Sequence, residues 1–361
     1  MCIACRTWRL DLVAAGRIVG DFHLLALEVP VIFLLRQPAT IWIKATKPIR
    51  SEKRDMKRTI YWLMSATLTL SMLLSACGPQ AAPEVQEPPA AEQAEMAPVD
   101  FDAAFATFLA DMQAYNTITP PALNEMLAEE PSPFILDVRT VGEVERKGHI
   151  PGAVLIPLNE LAKRLEYLPS FDTTIVSYCG SGWRCTIALT ALEALGWEDV
   201  RCLKDGSFSG WVETGYPIAT GVPQAEPLNA ALPDPAAVAA IDAVLSNIPN
   251  GFGGISVEAL NTALAEYPDL ILIDVRRDEE VKSKGAIEGA LHIPLESFMD
   301  RKAEWPADKD AKIVVYCGSG HRSTIAMTML WSYGYRVVRS LMGGFAAWVE
   351  AGYTVAEVAM P

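Results

Sequence analysis

Histidine is scarce in this chain. Four occur in 361 residues, and the three that follow Cys77 (His149, His292 and His321) stand too far apart to show the clustered spacing of an imidazole-held metal. No Gly-x-Gly-x-x-Gly turn, phosphate-binding Lys loop or flavin signature occurs, so neither a metal nor an organic cofactor is implied. Positive charge is missing where a nucleic-acid surface would need it. Residues before Cys77 carry 11 Lys and Arg against 5 Asp and Glu, whereas those after it carry 19 against 39, a net of −20. A body this acidic repels polyanions at long range, which argues against nucleic acid as a partner. Long hydrophobic runs are lacking too. The uncharged stretch from Thr59 to Leu73 is shorter than a comfortable bilayer span, and the apolar run at 24–35 is broken by Glu28 and Pro30.

What is present near the start is an address. Lys57 and Arg58 precede the short apolar core, and Leu74-Ser75-Ala76-Cys77-Gly78 closes it. The pattern resembles a bacterial lipoprotein signal, which implies cleavage before Cys77 and lipidation of that Cys; an uncleaved anchor is the alternative. Residues 1–55 then read as a misassigned or non-functional extension, 56–76 as the signal peptide, and 77–100 as a lipidated spacer too rich in Pro, Ala and Glu to fold. The expected location is a bacterial cell surface or periplasm, with a lipid anchor to the membrane. Oligomeric state is not legible.

From Phe101 the chain becomes foldable, and it repeats itself. Phe101, Phe105, Phe108, Leu109 and Met112 recur at helical spacing. ITPPALNEMLAEEPSPFILDVR at 118–139 returns as ISVEALNTALAEYPDLILIDVR at 255–276, an offset of 137, and the peptide VSYCGSGWRC at 176–185 returns as VVYCGSGHRS at 314–323, an offset of 138. Two tandem domains are expected, at 101–218 and 237–358, joined by a Pro/Ala-rich linker at 219–236. Within each, short β-rich apolar runs alternate with helical ones, which predicts a doubly wound parallel sheet covered by helices on both faces. Ligands of such sheets bind beyond the carboxyl ends of the strands, where both Cys-containing peptides begin.

The repeated peptide carries the chemistry. Cys179 and Cys317 each follow a strand and open a loop, Gly180-Ser181-Gly182-Trp183-Arg184 and Gly318-Ser319-Gly320-His321-Arg322, that runs into a helix. Glycines allow a tight turn whose amides converge, and the helix N-terminus adds its positive dipole end. A Cys in that field is expected to be a thiolate nucleophile, or to hold a persulfide anion. Arg184 and Arg322 are candidates for neutralising an anionic donor, with structural pairing to an acid as the other reading.

Together with Asp137-Val138-Arg139 and Glu143, Gly148 to Ala153, and Gly206 with Trp211, this loop resembles the rhodanese-like sulfurtransferase family; Asp274-Val275-Arg276, Glu280, Gly289-Ala290, Gly343-Gly344 and Trp348 carry it in the second copy. The resemblance implies that Cys179 and Cys317 take sulfane sulfur from a small anionic donor, thiosulfate or a mercapto acid, and pass it to a thiophilic acceptor such as cyanide or a thiol. Asp137, Arg139, Glu143, Asp274, Arg276 and Glu280 look like supporting charges that fix the strand end against the loop. Four residues between Cys and Arg resemble the sulfurtransferase loop rather than the longer phosphatase loop on the same fold. A non-catalytic scaffold or sulfur-carrier module is the alternative from another class.

The copies differ in ways that matter. Cys185 stands where the second copy has Ser323, six positions after Cys179, and is expected to resolve a Cys179 persulfide or form a disulfide with it, or else merely to replace a Ser. His149 is expected to make a structural hydrogen bond. His321 either tunes donor charge or faces solvent, and Trp183, Trp197 and Trp305 are expected to be partly exposed. Both cysteines are retained, so two competent sites are favoured, Cys317 slightly ahead.

Overall fold

The computed structural model describes residues 99–228 and 230–357. The candidate signal, Cys77 and nearly all of the spacer lie outside the described residues. Among those described, no helix is long and apolar enough to cross a membrane.

The first aromatic stripe forms helix α1 (Asp102–Asp111), which buries Phe105, Phe108 and Leu109. The first repeat continues as β1 (Thr117–Ile118), α2 (Pro120–Met126), β2 (Phe134–Asp137), α3 (Val141–Lys147), β3 (Val154–Leu155), β4 (Ile175–Tyr178), α4 (Trp183–Ala194), β5 (Val200–Leu203) and α5 (Phe208–Glu213). After α6 (Pro235–Ser246) the second repeat runs β6 (Gly254–Ile255), α7 (Val257–Glu266), β7 (Ile271–Asp274), α8 (Asp278–Lys284), β8 (Leu291–His292), β9 (Ile313–Tyr316), α9 (His321–Ser332), β10 (Val338–Leu341) and α10 (Gly344–Glu350). The sheets have the orders β1-β5-β4-β2-β3 and β6-β10-β9-β7-β8, and every strand pair is parallel. This is the tandem doubly wound architecture expected from the alternation of elements. All four residues of β4, and all four of β9, are buried, as central strands covered on both faces must be.

Local signals place the helices. Thr119 caps α2, with Pro at its first position, and Thr140 and Glu143 form a reciprocal capping box at α3. The helices that follow the two Cys loops, α4 and α9, are the most buried: every residue from Cys185 to Ala194, and from His321 to Trp331, is inside. A helix buried all round needs partners on every side. Each lies against its own sheet and against the other repeat's helix, so α4 and α9 join the two repeats in one core.

The segments leading into each repeat cross over. α6 begins at Pro235, inside the stretch expected to be linker, because Asp234 caps it and Ile241 and Leu245 are buried. It packs on the 3-10 segment Leu158–Lys163 of the first repeat, while α1 reaches Leu295–Ser297 of the second. Trp197 and Trp305 are core residues, 1% and 6% exposed, against the expectation of partial exposure; Trp197 packs on Phe171 and Trp305 on Phe298. Trp183 is half-buried.

Candidate active site

Cys179 and Cys317 sit at the carboxyl ends of the central strands β4 and β9, each 1% exposed. Each loop turns back on its sulfur: the Gly182 amide lies 3.2 Å from Cys179 Sγ, and the Gly320 amide 3.1 Å from Cys317 Sγ. Gly182 and Gly320 have φ of 103° and 110°, a conformation that disfavours any side chain. Helices α4 and α9 start at the next residue, so the positive end of a three-turn helix faces each sulfur. In the second loop Ser323 Oγ also lies 3.5 Å from Cys317 Sγ. These are the elements of an anion nest around a thiolate or a persulfide.

The expected single network of supporting charges divides in two. Asp137 and Arg139 are wholly buried and pair with each other at 2.6 Å, and the Arg139 guanidinium also donates to the Gly148 carbonyl and stacks 3.8 Å from the centre of the Phe208 ring. Asp274, Arg276, Gly285 and Phe345 repeat this arrangement. The pairs brace the strand end under the loop and do not touch the sulfur. Glu143 instead grips Arg184 with two bonds of 2.7 Å, and Glu280 grips Arg322 at 2.5 and 2.7 Å. The guanidinium beside each carboxylate holds Glu143 and Glu280 down to about 2. Both loop arginines are therefore already paired, and further positive potential at the sulfur comes from amides and the helix end, joined at Cys317 by the nearby Lys204 ammonium.

The rhodanese-like domain model matches residues 119–214 and 256–351, more than half of the chain. The chain belongs to the rhodanese-like domain family. It is similar to a sulfurtransferase of Allochromatium vinosum, 38% identical over 101 residues covering 28% of this chain and 92% of that protein. It is also similar to a sulfur carrier protein of Thermus thermophilus, 28% identical over 260 residues, 61% of this chain and 89% of that one. A solved thiosulfate sulfurtransferase from Pseudomonas aeruginosa aligns at 23% identity and a TM-score of 0.30, over 68% of this chain and 44% of that structure.

Within this rhodanese frame, two expectations for the loop residues are corrected. Cys185 does not pair with Cys179. It is bonded to Cys202 on β5, 17 residues away, with Cα atoms 5.4 Å apart, and Cys179 is a free thiol. The first turn of α4 sets Cys185 against the neighbouring strand β5, where its Sγ lies 3.8 Å from the Leu203 carbonyl. The second repeat has Ser323 and Ser340 at these places, hydrogen-bonded at 2.8 Å. Comparing VRCL with VRSL would have exposed this pairing in the sequence, since both Cys positions become Ser together.

His321 faces neither a donor nor solvent. It is buried between the repeats, where Nε2–H donates to the Tyr115 carbonyl at 2.8 Å and Nδ1 accepts from the Thr186 hydroxyl at 2.8 Å. Burial depresses its pKa to about 3, so the ring is neutral. Trp183 does the same work in the first loop: its Nε1–H donates to the Phe252 carbonyl at 2.9 Å. The variable position of Cys-Gly-Ser-Gly-x-Arg thus holds a ring N–H donor in both copies. His149 is buried, with Nδ1 3.0 Å from the Ile150 carbonyl, in keeping with a structural bond. Among the described residues no cluster of His, Cys, Asp and Glu could hold a metal.

Gly344 was legible only as half of a glycine pair. A Cβ there would stand 2.4 Å from the Cys317 carbonyl and 2.7 Å from the Ser319 amide. In the first repeat Ser207 takes the equivalent place with a positive φ, and its Oγ accepts from the Cys179 amide at 3.0 Å.

Proposed function

We propose that this protein is a sulfurtransferase that moves sulfane sulfur through persulfides on Cys179 and Cys317, with thiosulfate as the favoured donor and a mercapto acid as the other. One observation carries the reading: a strand-end Cys whose sulfur accepts an amide from a Cys-x4-Arg loop, at a helix N-terminus, occurs twice with the same geometry. The family membership and the sulfurtransferase and sulfur-carrier relatives support it.

The cycle balances without a cofactor. The thiolate attacks the outer sulfur of thiosulfate, the S–S bond to the sulfonate sulfur breaks, and sulfite leaves with the electron pair. The persulfide anion that remains is held by the Gly182 or Gly320 amide and the helix end. Cyanide or a thiolate then attacks the terminal sulfur, releasing thiocyanate or a new persulfide and restoring the Cys thiolate. Arg184 and Arg322, fixed by Glu143 and Glu280, keep the loop in shape and add a shared charge to its rim. Lipidation at Cys77 and export to a bacterial surface or periplasm belong to the same proposal and rest on the sequence at 56–78.

Cyanolysis of thiosulfate by the full chain, with Cys179→Ala, Cys317→Ala and the double variant, tests the mechanism. Each single variant is expected to keep part of the activity and the double variant none; turnover by the double variant would sink the covalent route. A second reading, a sulfur carrier that hands its persulfide to a protein, is favoured by the Thermus relative, whose alignment is long enough to span both repeats. Persulfide that forms with a donor yet resists cyanide would select it.

A further inference from the structure

Lys204 follows β5 and Met342 follows β10, and the two backbones are fixed alike: the Lys204 amide donates to the Ile118 carbonyl and the Met342 amide to the Ile255 carbonyl, both at 2.9 Å. Their side chains go different ways. Met342 lies on its own repeat, where a Cβ added at Gly254 would stand 3.0 Å from its Sδ. Lys204 lines a chamber of about 130 Å³ between the repeats, with Trp183 of the first and Ser319, Gly320, His321 and Thr324 of the second. One wall of that chamber is therefore the loop whose Gly320 amide lies 3.1 Å from Cys317 Sγ. Lys204 is half-buried, and among the described residues its side chain has no hydrogen-bond or ion-pair partner. Burial lowers its pKa, while the negative charges of Cys317 and Asp205 oppose that shift and Arg322 adds to it. The cysteine whose charge it feels is the one in the other repeat.

The remaining charges around the two sulfurs balance. Arg184 is paired with Glu143, and Arg322 with Glu280. Tyr115, whose ring lies 4.9 Å from the Arg322 guanidinium, has the anion Glu296 and the cation Arg277 beside it. The first repeat has Phe252, 5.2 Å from the Arg184 guanidinium, with Asn159 and Thr140 at the matching places, all uncharged. His321 is neutral. What is left over is Lys204 with Asp205 next to it, and Asp205 is exposed, so water and salt screen it more than they screen the half-buried ammonium.

We propose that Lys204, supplied by the first repeat, is a supporting residue of the second site: its charge stabilises the anionic sulfur of Cys317, as thiolate or as persulfide, and makes that site a composite of both repeats. Cys179 has no such partner, because Met342 is uncharged and turns onto Gly254. One partly buried charge near a thiol is worth roughly a threefold to tenfold change in its ionised fraction. The charge assignment stands apart from the reaction performed; its use in holding a persulfide rests on the sulfurtransferase reading.

Lys204→Met tests the assignment, since Met is what the second repeat itself carries at this station. The full chain is treated briefly with neutral iodoacetamide across the pH range in which thiols ionise, and adducts on Cys179 and Cys317 are counted by peptide mass spectrometry. Below the rise of the profile, Lys204→Met is expected to slow Cys317 by about threefold to tenfold, with the alkaline plateau kept and Cys179 unmoved. Lys204→Arg should keep the parent profile, and high salt should narrow the gap between parent and Lys204→Met. The ultraviolet thiolate absorbance removed by Cys317→Ala, compared with and without Lys204→Met, should move to higher pH in the same way, and it needs no reagent to reach the sulfur. A Cys317 profile and absorbance untouched by Lys204→Met, equal slowing at both cysteines, or a Lys204→Arg variant that behaves like Lys204→Met would each overturn the proposal. A shifted profile in a protein that no donor loads with persulfide would keep the charge assignment and remove the sulfurtransferase reading; an unmoved profile in a protein that does load would do the reverse.

Discussion

Replacing Cys185 and Cys202 together by serine would give the first repeat the tie that the second already has. In the second repeat Ser323 and Ser340 join helix to strand by one hydrogen bond of 2.8 Å; in the first the same positions are covalently joined across 17 residues. A bridge closing a loop of that length removes chain entropy from the unfolded state worth about 3 kcal/mol. The serine pair returns about 1 kcal/mol as a buried hydrogen bond. The double variant is therefore expected to lose about 2 kcal/mol under oxidising conditions, read as a lower urea midpoint by fluorescence of the buried Trp197 and Trp305. Dithiothreitol should lower the midpoint of the parent protein and leave that of the variant unchanged. Because Cys179 is free and not part of this bond, its alkylation rate should be the same in both. Free thiols at Cys185 and Cys202 in the oxidised parent protein, or identical midpoints for parent and variant, would refute the reasoning.

Three further outcomes follow from the site. Glu143, held at about 2 against a usual 4.5 by Arg184, is a depressed carboxylate, so its contribution is full above about 4.5 and is lost as pH falls through about 2; after allowance for partial solvent screening, Glu143→Gln is expected to cost about 1–3 kcal/mol near neutrality. That gap should narrow in urea unfolding below about pH 4.5, and a gap that stays constant on acidification contradicts the pairing. Gly344→Ala, whose Cβ would meet the Cys317 carbonyl, should slow iodoacetamide at Cys317 by about tenfold through loop displacement while sparing Cys179; equal effects at both would show a global fault. His321, kept neutral by burial, contributes stability that is full above about 6.5 and lost towards about 3, so His321→Gln should leave the pH profile of Cys317 chemistry unshifted around neutrality; a shift of that profile would mean the imidazole titrates there.

The fold was legible because its signals are local and occur twice. Apolar runs too short for helices, and Gly196 and Gly334 closing α4 and α9, each specify an element without reference to the rest of the chain, and the Thr119 and Thr140 caps seen in the structure are signals of the same local kind. The strand-end cysteines and the loop glycines were placed by the same kind of signal, since strand, loop and helix are contiguous. What was not legible depends on contacts between distant segments. The spacing of 17 residues does not tie Cys202 to Cys185; the signal that does, both becoming Ser in the second repeat, emerges only when two distant segments are compared across the copies. Glu143 was grouped with Asp137 and Arg139 because they are sequence neighbours, but α3 turns it towards Arg184, 41 residues on. The buried state of His321 requires knowing that the two repeats pack through their Cys-loop helices.

The residues that differ between the repeats preserve a physical task more often than a chemical identity. Trp183 and His321 share no shape, yet each offers one ring N–H to the carbonyl of a crossing aromatic residue. A cystine and a serine pair share no chemistry, yet each fastens the Cys-loop helix to the same neighbouring strand. Where the task is preserved, a difference in residue does not argue for a difference in function. Phe252 and Tyr115 with Asn159 and Glu296 break that rule: the Tyr115 hydroxyl donates to the Glu296 carboxylate, a contact that Phe252 and Asn159 cannot make in the first repeat. The two rings lie over loop arginines whose charge is already shared with a glutamate. A duplicated site that kept both strand-end cysteines and both amide nests has thus varied what covers its loops and held the loops themselves constant.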